Sequence, residues 1–306
     1  MTKKNMALAL WVVLIWSLNL IILKIAIFQF PILPLTFLRV ALVFPLLFFY
    51  PKPEKSLWKY FLCGFFLLAL YLLLFGFGLK SEISAGLSAF FLQTQVLFIL
   101  LCCFLILGEK PTWFQTIGIF ISFVGVYLLK VSSLPEQIPI EGLIFLLASC
   151  ASYGIGIALS KKYKIGSSMS DVTWLSMTAA IPLFFVSMIF EGPLETFNSI
   201  IHMSSTVILC LIFATLFSTI WATYLWLTLL KENPASSIAP FMLCLPIFSS
   251  VLSYIFMGEN ITSVQMISGG FIVLGVMFAQ GLHQRIPFLI YWLKNRKKIL
   301  ISTDPQ

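Results

Sequence analysis

Ten long apolar stretches, parted by short runs of charge, proline and glycine, leave this chain few folds to choose from. They read as residues 6–27, 34–50, 57–79, 84–107, 112–129, 140–160, 171–190, 205–230, 235–257 and 262–282. Each is 17–26 residues long, enough at about 1.5 Å per residue to cross a hydrocarbon layer of about 30 Å. The residues are 60% hydrophobic and 10% charged, against about 45–50% and about 25% in a soluble domain. A soluble fold has no polar skin to draw on here, and a disulfide scaffold, a nucleic-acid binder and a disordered chain are excluded with it. The pattern predicts an all-α membrane protein of ten transmembrane helices, with short connections that make neighbours antiparallel.

Lys and Arg set the orientation, because cytoplasmic loops collect them. With both termini cytoplasmic, the inner side gathers Lys3, Lys4, Lys52, Lys55, Lys59, Lys110, Lys161, Lys162, Lys164, Lys231, Arg285, Lys294, Arg296, Lys297 and Lys298, fifteen of nineteen. The outer side keeps Lys80 and Lys130 among Glu82, Glu136, Glu141, Glu191, Glu195 and Glu259. The net charge of +8 therefore implies anionic lipid as a partner rather than nucleic acid. The first stretch is too long for a signal h-region and no small-x-small site follows it, so it is expected to be retained. All six cysteines fall within spans, with no disulfide or metal spacing, and read as packing residues.

The two halves resemble each other. A shift of 137 residues lays Trp16 on Tyr153, Lys24 on Lys161, Thr36 on Thr173, Leu38 on Leu175 and Pro45 on Pro182. A shift of 150 lays Gly108-Glu109 on Gly258-Glu259, Gln115 on Gln265 and Gly125 on Gly275. The change of offset requires about thirteen extra residues in the second half, expected near 191–204. Halves with an odd number of spans must insert in opposite senses, and inverted repeats point to a transporter with its site near the midplane.

The segments ALWVVLIWSLNLIILKIAI, PLTFLRVALVFPLLFF, GLSAFFLQTQVLF, LGEK and ASSIAPFMLCLPIFSSVLSYIFMGEN resemble the EamA-type branch of the drug/metabolite transporter superfamily. Within it the chain is most similar to exporters of O-acetylserine and cysteine. The resemblance implies two inverted five-helix repeats around a central cavity lined by the first, third, fourth, sixth, eighth and ninth helices. It divides the chain into a first repeat at 1–130, an outer linker at 131–139, a second repeat at 140–283 and a basic cytoplasmic tail at 284–306.

Depth within the spans nominates the substrate-binding residues. Polar groups in lipid are costly and turn toward protein or water. Trp16, Asn19, Gln93, Gln95, Tyr153 and Trp221 lie near span centres, with Tyr71 and Tyr224 a turn or two away. Asn19, Gln93 and Gln95 also fit plain interhelical hydrogen bonds, and the aromatic residues fit ordinary packing. Gln93 and Gln95 point about 200° apart, so one of them faces the cavity; Gln95 shares its face with Ser88. Arg39 either snorkels to the outer interface or, like Lys24, attracts a solute carboxylate; Lys24 also fits a terminal anchor. Glu109 and Glu259 read as turn and cap residues. Gly118, Ser122 and Gly125, with Ser268, Gly269 and Gly275, allow two helices close contact. Pro246, at mid-depth in the ninth span, is the expected gating residue.

What is absent narrows the mechanism. No Asp or Glu lies deep in a span, no P-loop occurs, and His202 and His283 sit outside the spans, so neither an enzyme nor a cofactor is expected. The reading is a secondary carrier of the bacterial inner membrane, exporting small neutral or zwitterionic amino-acid metabolites, expected as a monomer with a homodimer as the alternative. Uptake or exchange of a host-type metabolite such as S-adenosylmethionine stands second, and a non-transporting membrane scaffold third.

Overall fold

In a computed structural model, described for residues 2–50, 55–81, 83–131, 139–166, 168–233, 239–260 and 262–279, the chain is helical, with no strand among the described residues. The basic tail at 284–306 and most of the linker at 131–139 lie outside them, as do Lys52, Glu82 and Glu136. Six helices are long and apolar enough to cross a membrane, and four shorter apolar helices accompany them. Their outer faces carry bare Leu105, Phe120 and Ile189, a surface that water does not tolerate and lipid does. The chain is a multi-span membrane protein.

The helices are α1 Lys3–Gln29, α2 Ile32–Ala41, α3 Leu57–Lys80, α4 Ala85–Leu107, α5 Trp113–Val131, α6 Ile140–Tyr163, α7 Met169–Phe190 and α8 Pro193–Ile201. They continue with α9, which runs Ser205–Ile212, Phe213–Trp221 and Ala222–Glu232 without a break, then α10 Leu245–Met257 and α11 Ser263–Ala279. The second apolar stretch is not one helix throughout: α2 ends at Ala41 and a 3-10 segment, Phe44–Phe48, carries Pro45 in its first turn. Its counterpart Pro182 lies inside the unbroken α7.

Packing follows the two offsets. α6 lies against α3 and α4, and α1 against α9 and α10; α2 packs on α7, α4 on α10 and α5 on α11. Exchanging the two halves turns this contact pattern into itself. In the α5–α11 seam Ser122 donates to the Ile272 carbonyl at 3.1 Å, residues 150 apart. A Cβ on Gly125 would lie 2.7 Å from the Ser268 carbonyl, and one on Gly275 would run into Ser122. The seam closes because these positions have no side chain.

The extra residues of the second half form α8. Gly192, at φ 83°, ends α7 and Pro193 starts the next helix, the position where a missing N–H costs nothing. Thr196 is buried on Ser187 while Leu194, Phe197 and Ile201 point away from the bundle.

Long helices are interrupted at equivalent places. α3 and α9 each pass through a π-helical segment, Phe65–Leu70 and Phe213–Trp221. α4 breaks at Thr94, with ψ −14°, and restarts at Gln95. A 3-10 segment, Ala239–Cys244, precedes α10, and Cys244, 150 residues after Thr94, has ψ −15°. Pro246 is accordingly not inside a continuous helix. It sits in the first turn of α10, where its ring and absent N–H disturb no helical bond.

Candidate functional site

A broken helix in lipid must find partners for its freed carbonyls, and here they come from the helices crossing the breaks. At the α10 break Gln93 of α4 donates to the Met242 carbonyl at 2.9 Å and Ser17 of α1 to the Leu245 carbonyl at 3.2 Å. At the α4 break Thr94 donates to the Phe91 carbonyl at 2.7 Å, and the Cys150 thiol of α6 approaches the same oxygen at 3.6 Å. Discontinuous helices of this kind mark the solute site in carriers.

Beside the α4 break three of the nominated residues come together, with a fourth in reach of one of them. The Gln95 amide donates to the Tyr71 hydroxyl at 3.2 Å. Tyr71 and Tyr153 meet with ring centroids 5.0 Å apart, and Phe75 lies near-parallel to Tyr71 with centroids 6.0 Å apart. Arg39 lies within electrostatic reach of Tyr71, and its Nε is buried with no hydrogen-bond partner among the described residues. The backbone of Arg39 is held by Thr215 of α9, which donates to its carbonyl at 3.2 Å. Three of these residues sit near the middle of α3, α4 and α6, so the group lies at mid-bundle. It offers one cation, two phenols, an amide and apolar ring faces.

The other nominated residues are placed elsewhere. Gln93 is buried and spent on the α10 carbonyl, so the two glutamines diverge as their spacing requires. The Trp16 indole N–H donates to the Ser218 carbonyl at 3.2 Å and its ring lies 5.3 Å from Trp226. Asn19 is buried, with Oδ1 unpaired among the described residues. Trp221 and Tyr224 are exposed on α9, Trp221 edge-on to Phe217, and do not join the Tyr71 group.

Lys24 is not available to a solute. It is buried, donates to the Ile83 carbonyl at 2.7 Å and pairs with Glu259. Glu259 in turn accepts from the Ala85 N–H at 2.9 Å and from Ser253. The reading of Glu259 as a turn residue was therefore incomplete. The repeat counterparts Lys161 and Glu109 pair as well, at 2.7 Å, but both are exposed.

One buried carboxylate escaped the sequence reading. Asp171, in the first turn of α7, accepts from the Tyr60 hydroxyl of α3. Ser168 caps its N–H at 3.2 Å. The Ser168-x-x-Asp171 spacing of a capping box was the available signal. At the other end of α7, desolvation pushes the Glu191 carboxyl up from its ordinary value while the Leu33 N–H draws it down. Glu191 and Lys80 border a cavity of about 440 Å³ at the α1–α2 turn, whose lining does not include Tyr71.

A family model described as the EamA-like transporter family matches residues 3–131 and again 140–280. A "Probable amino-acid metabolite efflux pump" of Escherichia coli is 31% identical over 285 residues, covering 90% of this chain and 94% of its own. The protein of the same name from Salmonella typhimurium is 30% identical with the same coverage. A solved crystal structure at 16% identity aligns with a TM-score of 0.62 over 94% of this chain and 99% of its own, a likeness of fold.

Proposed function

From the premise that the chain belongs to the EamA-like transporter family, we propose that it exports small amino-acid-derived metabolites across the bacterial inner membrane. The ten apolar rods are ten crossings, arranged as inverted repeats 1–130 and 140–283 with both termini cytoplasmic. The solute is held between them by Arg39, Tyr71, Gln95 and Tyr153, and the halves rock about it.

One observation carries the reading: a guanidinium nitrogen, buried and without a hydrogen-bond partner among the described residues, lies within electrostatic reach of Tyr71, which itself meets the Gln95 amide and the Tyr153 ring. An arginine at membrane depth costs about 2.5–3.5 kcal/mol, which an arriving carboxylate offsets through charge-assisted hydrogen bonds. The Tyr71 and Tyr153 rings present faces suited to an ammonium or an apolar side chain. No buried Asp or Glu stands beside this group among the described residues, so a permanently cationic solute finds no counter-ion. The names of the relatives support amino-acid metabolites as the solute class and efflux as the direction.

The test is flux in liposomes holding the purified chain, with cysteine, O-acetylserine, threonine, S-adenosylmethionine and an organic cation. Flux of the first three supports the proposal. Flux of the cation alone refutes it, and flux of none returns the scaffold reading.

A further inference from the structure

Lys24–Glu259 and Lys161–Glu109 are the same interaction made twice. Lys161 follows Lys24 by 137 residues and Glu259 follows Glu109 by 150, the offsets that relate the two halves. The local geometry repeats too. Gly108 and Gly258 take φ 72° and 67° and close α4 and α10 with their N–H groups on the Phe104 and Tyr254 carbonyls. The next N–H, of Glu109 or Glu259, reaches back to Cys103 or Ser253 at 3.4 Å in both turns. A left-handed glycine cap of this form turns the following residue back toward the bundle. It aims each glutamate at a lysine near the end of α1 or α6.

The two pairs lie at opposite ends of the bundle. Glu259 holds the first N–H of α4 through Ala85, while Glu109 follows the Gly108 cap at the other end of α4. A helix of 23 residues separates them by about 35 Å. α1 and α6 therefore run in opposite directions, and each delivers its lysine to a different end.

Their environments differ. Lys24 and Glu259 have side chains 4% and 19% exposed and tie together α1, the start of α4 and the end of α10. Lys161 and Glu109 are 56% and 48% exposed, and Glu109 takes no other side-chain partner among the described residues. One copy is shut in and braced, and the other stands open.

We infer that these four residues are paired latches of the transport cycle, Lys24–Glu259 closing the outer end and Lys161–Glu109 the inner end, with burial exchanged between them as the halves rock. The inference rests on the alternating-access reading above. In it, repeat-equivalent residues take each other's environments in the opposite state, so the open pair here shows what the shut pair becomes. The structure is the outward-closed state. The resemblance of the two caps keeps each glutamate aimed at its lysine, so the exchange requires only that bracing contacts like those of Glu259 form around Glu109.

The experiment reads access at both ends without needing the solute. Two single-cysteine proteins report, one carrying Ile83→Cys, buried beside the shut latch, and one carrying Leu107→Cys, part-exposed beside the open one. Each is labelled in membranes with an impermeant maleimide applied from its own side. Glu259→Gln should raise labelling at position 83 roughly tenfold and lower it at position 107. Glu109→Gln should do the reverse. The charge swap of Lys24→Glu with Glu259→Lys should restore labelling toward the parent level. Ends that change independently, or together in one direction, overturn the inference, since a local brace would move only its own end. If Glu259→Gln does not fold, Glu109→Gln at the exposed pair decides alone. Reciprocal labelling without flux of amino-acid metabolites would sink the solute assignment and leave the latches standing; flux without reciprocity does the opposite.

Discussion

Glu259→Gln and Glu109→Gln remove the same charge at equivalent positions, yet their costs should differ by several-fold. The first leaves the Lys24 ammonium buried with only the Ile83 carbonyl. Breaking a buried pair by removing one partner costs about 3–5 kcal/mol. Glu259 is 19% exposed and a glutamine oxygen can still accept from the Ala85 N–H, so the lower end, about 3 kcal/mol, applies. The second change breaks a pair whose members are 56% and 48% exposed, where loss is about 0–1 kcal/mol. Thermal unfolding of both variants and the parent in one detergent measures the contrast. At about 2–4 °C per kcal/mol the midpoint should fall roughly 6–12 °C for Glu259→Gln and little for Glu109→Gln. Adding Lys24→Met to Glu259→Gln should recover much of the loss, because no charge is then left stranded. Equal losses in the two single variants, or a larger one for Glu109→Gln, would refute the environments assigned to the pairs.

Other outcomes follow from the site and the seam. Arg39→Gln should raise the KM for a carboxylate solute roughly tenfold to a hundredfold, as loss of a charged hydrogen bond implies, in counterflow measurements. Gln95→Ala should weaken solute affinity with little change in melting. Gln93→Ala should do the opposite, because it strands the Met242 carbonyl at about 1–3 kcal/mol. Gly275→Leu should destabilise by about 1–3 kcal/mol in thermal unfolding, since even a Cβ there meets Ser122.

Much of this fold could be read from hydropathy and length, because a helix in lipid is the one way a lone segment satisfies its own backbone. The repeat was legible through residues with positional meaning: the Gly-Glu caps, Lys24 and Lys161, and the glycines of the α5–α11 seam. The helix breaks were not. Thr94 lies in Phe-Leu-Gln-Thr-Gln, which has no proline or glycine. The break persists because Thr94 itself and Cys150 of α6 serve the Phe91 carbonyl there. Pro246 did not reveal the second break for the complementary reason, as it starts a helix that Cys244 has already interrupted. Lys24 was seen as a charge out of place, but its partner lies 235 residues away and only the fold brings Glu259 to it. The Tyr71 group was partly legible, because depth alone named Tyr71, Gln95 and Tyr153. Depth could not separate them from Trp221 and Tyr224, which share it but are exposed on α9 and have no described contact with Tyr71.

The central claim is that the Tyr71 group reads a carboxylate through Arg39. The direct measurement is competition against O-acetylserine exchange in liposomes, by unlabelled O-acetylserine and by its carboxamide analogue, in the parent and in Arg39→Gln. In the parent the carboxylate form should compete at least roughly tenfold better than the carboxamide, and in Arg39→Gln the two should compete alike. A parent that accepts both equally, or an Arg39→Gln protein that still discriminates, would contradict it.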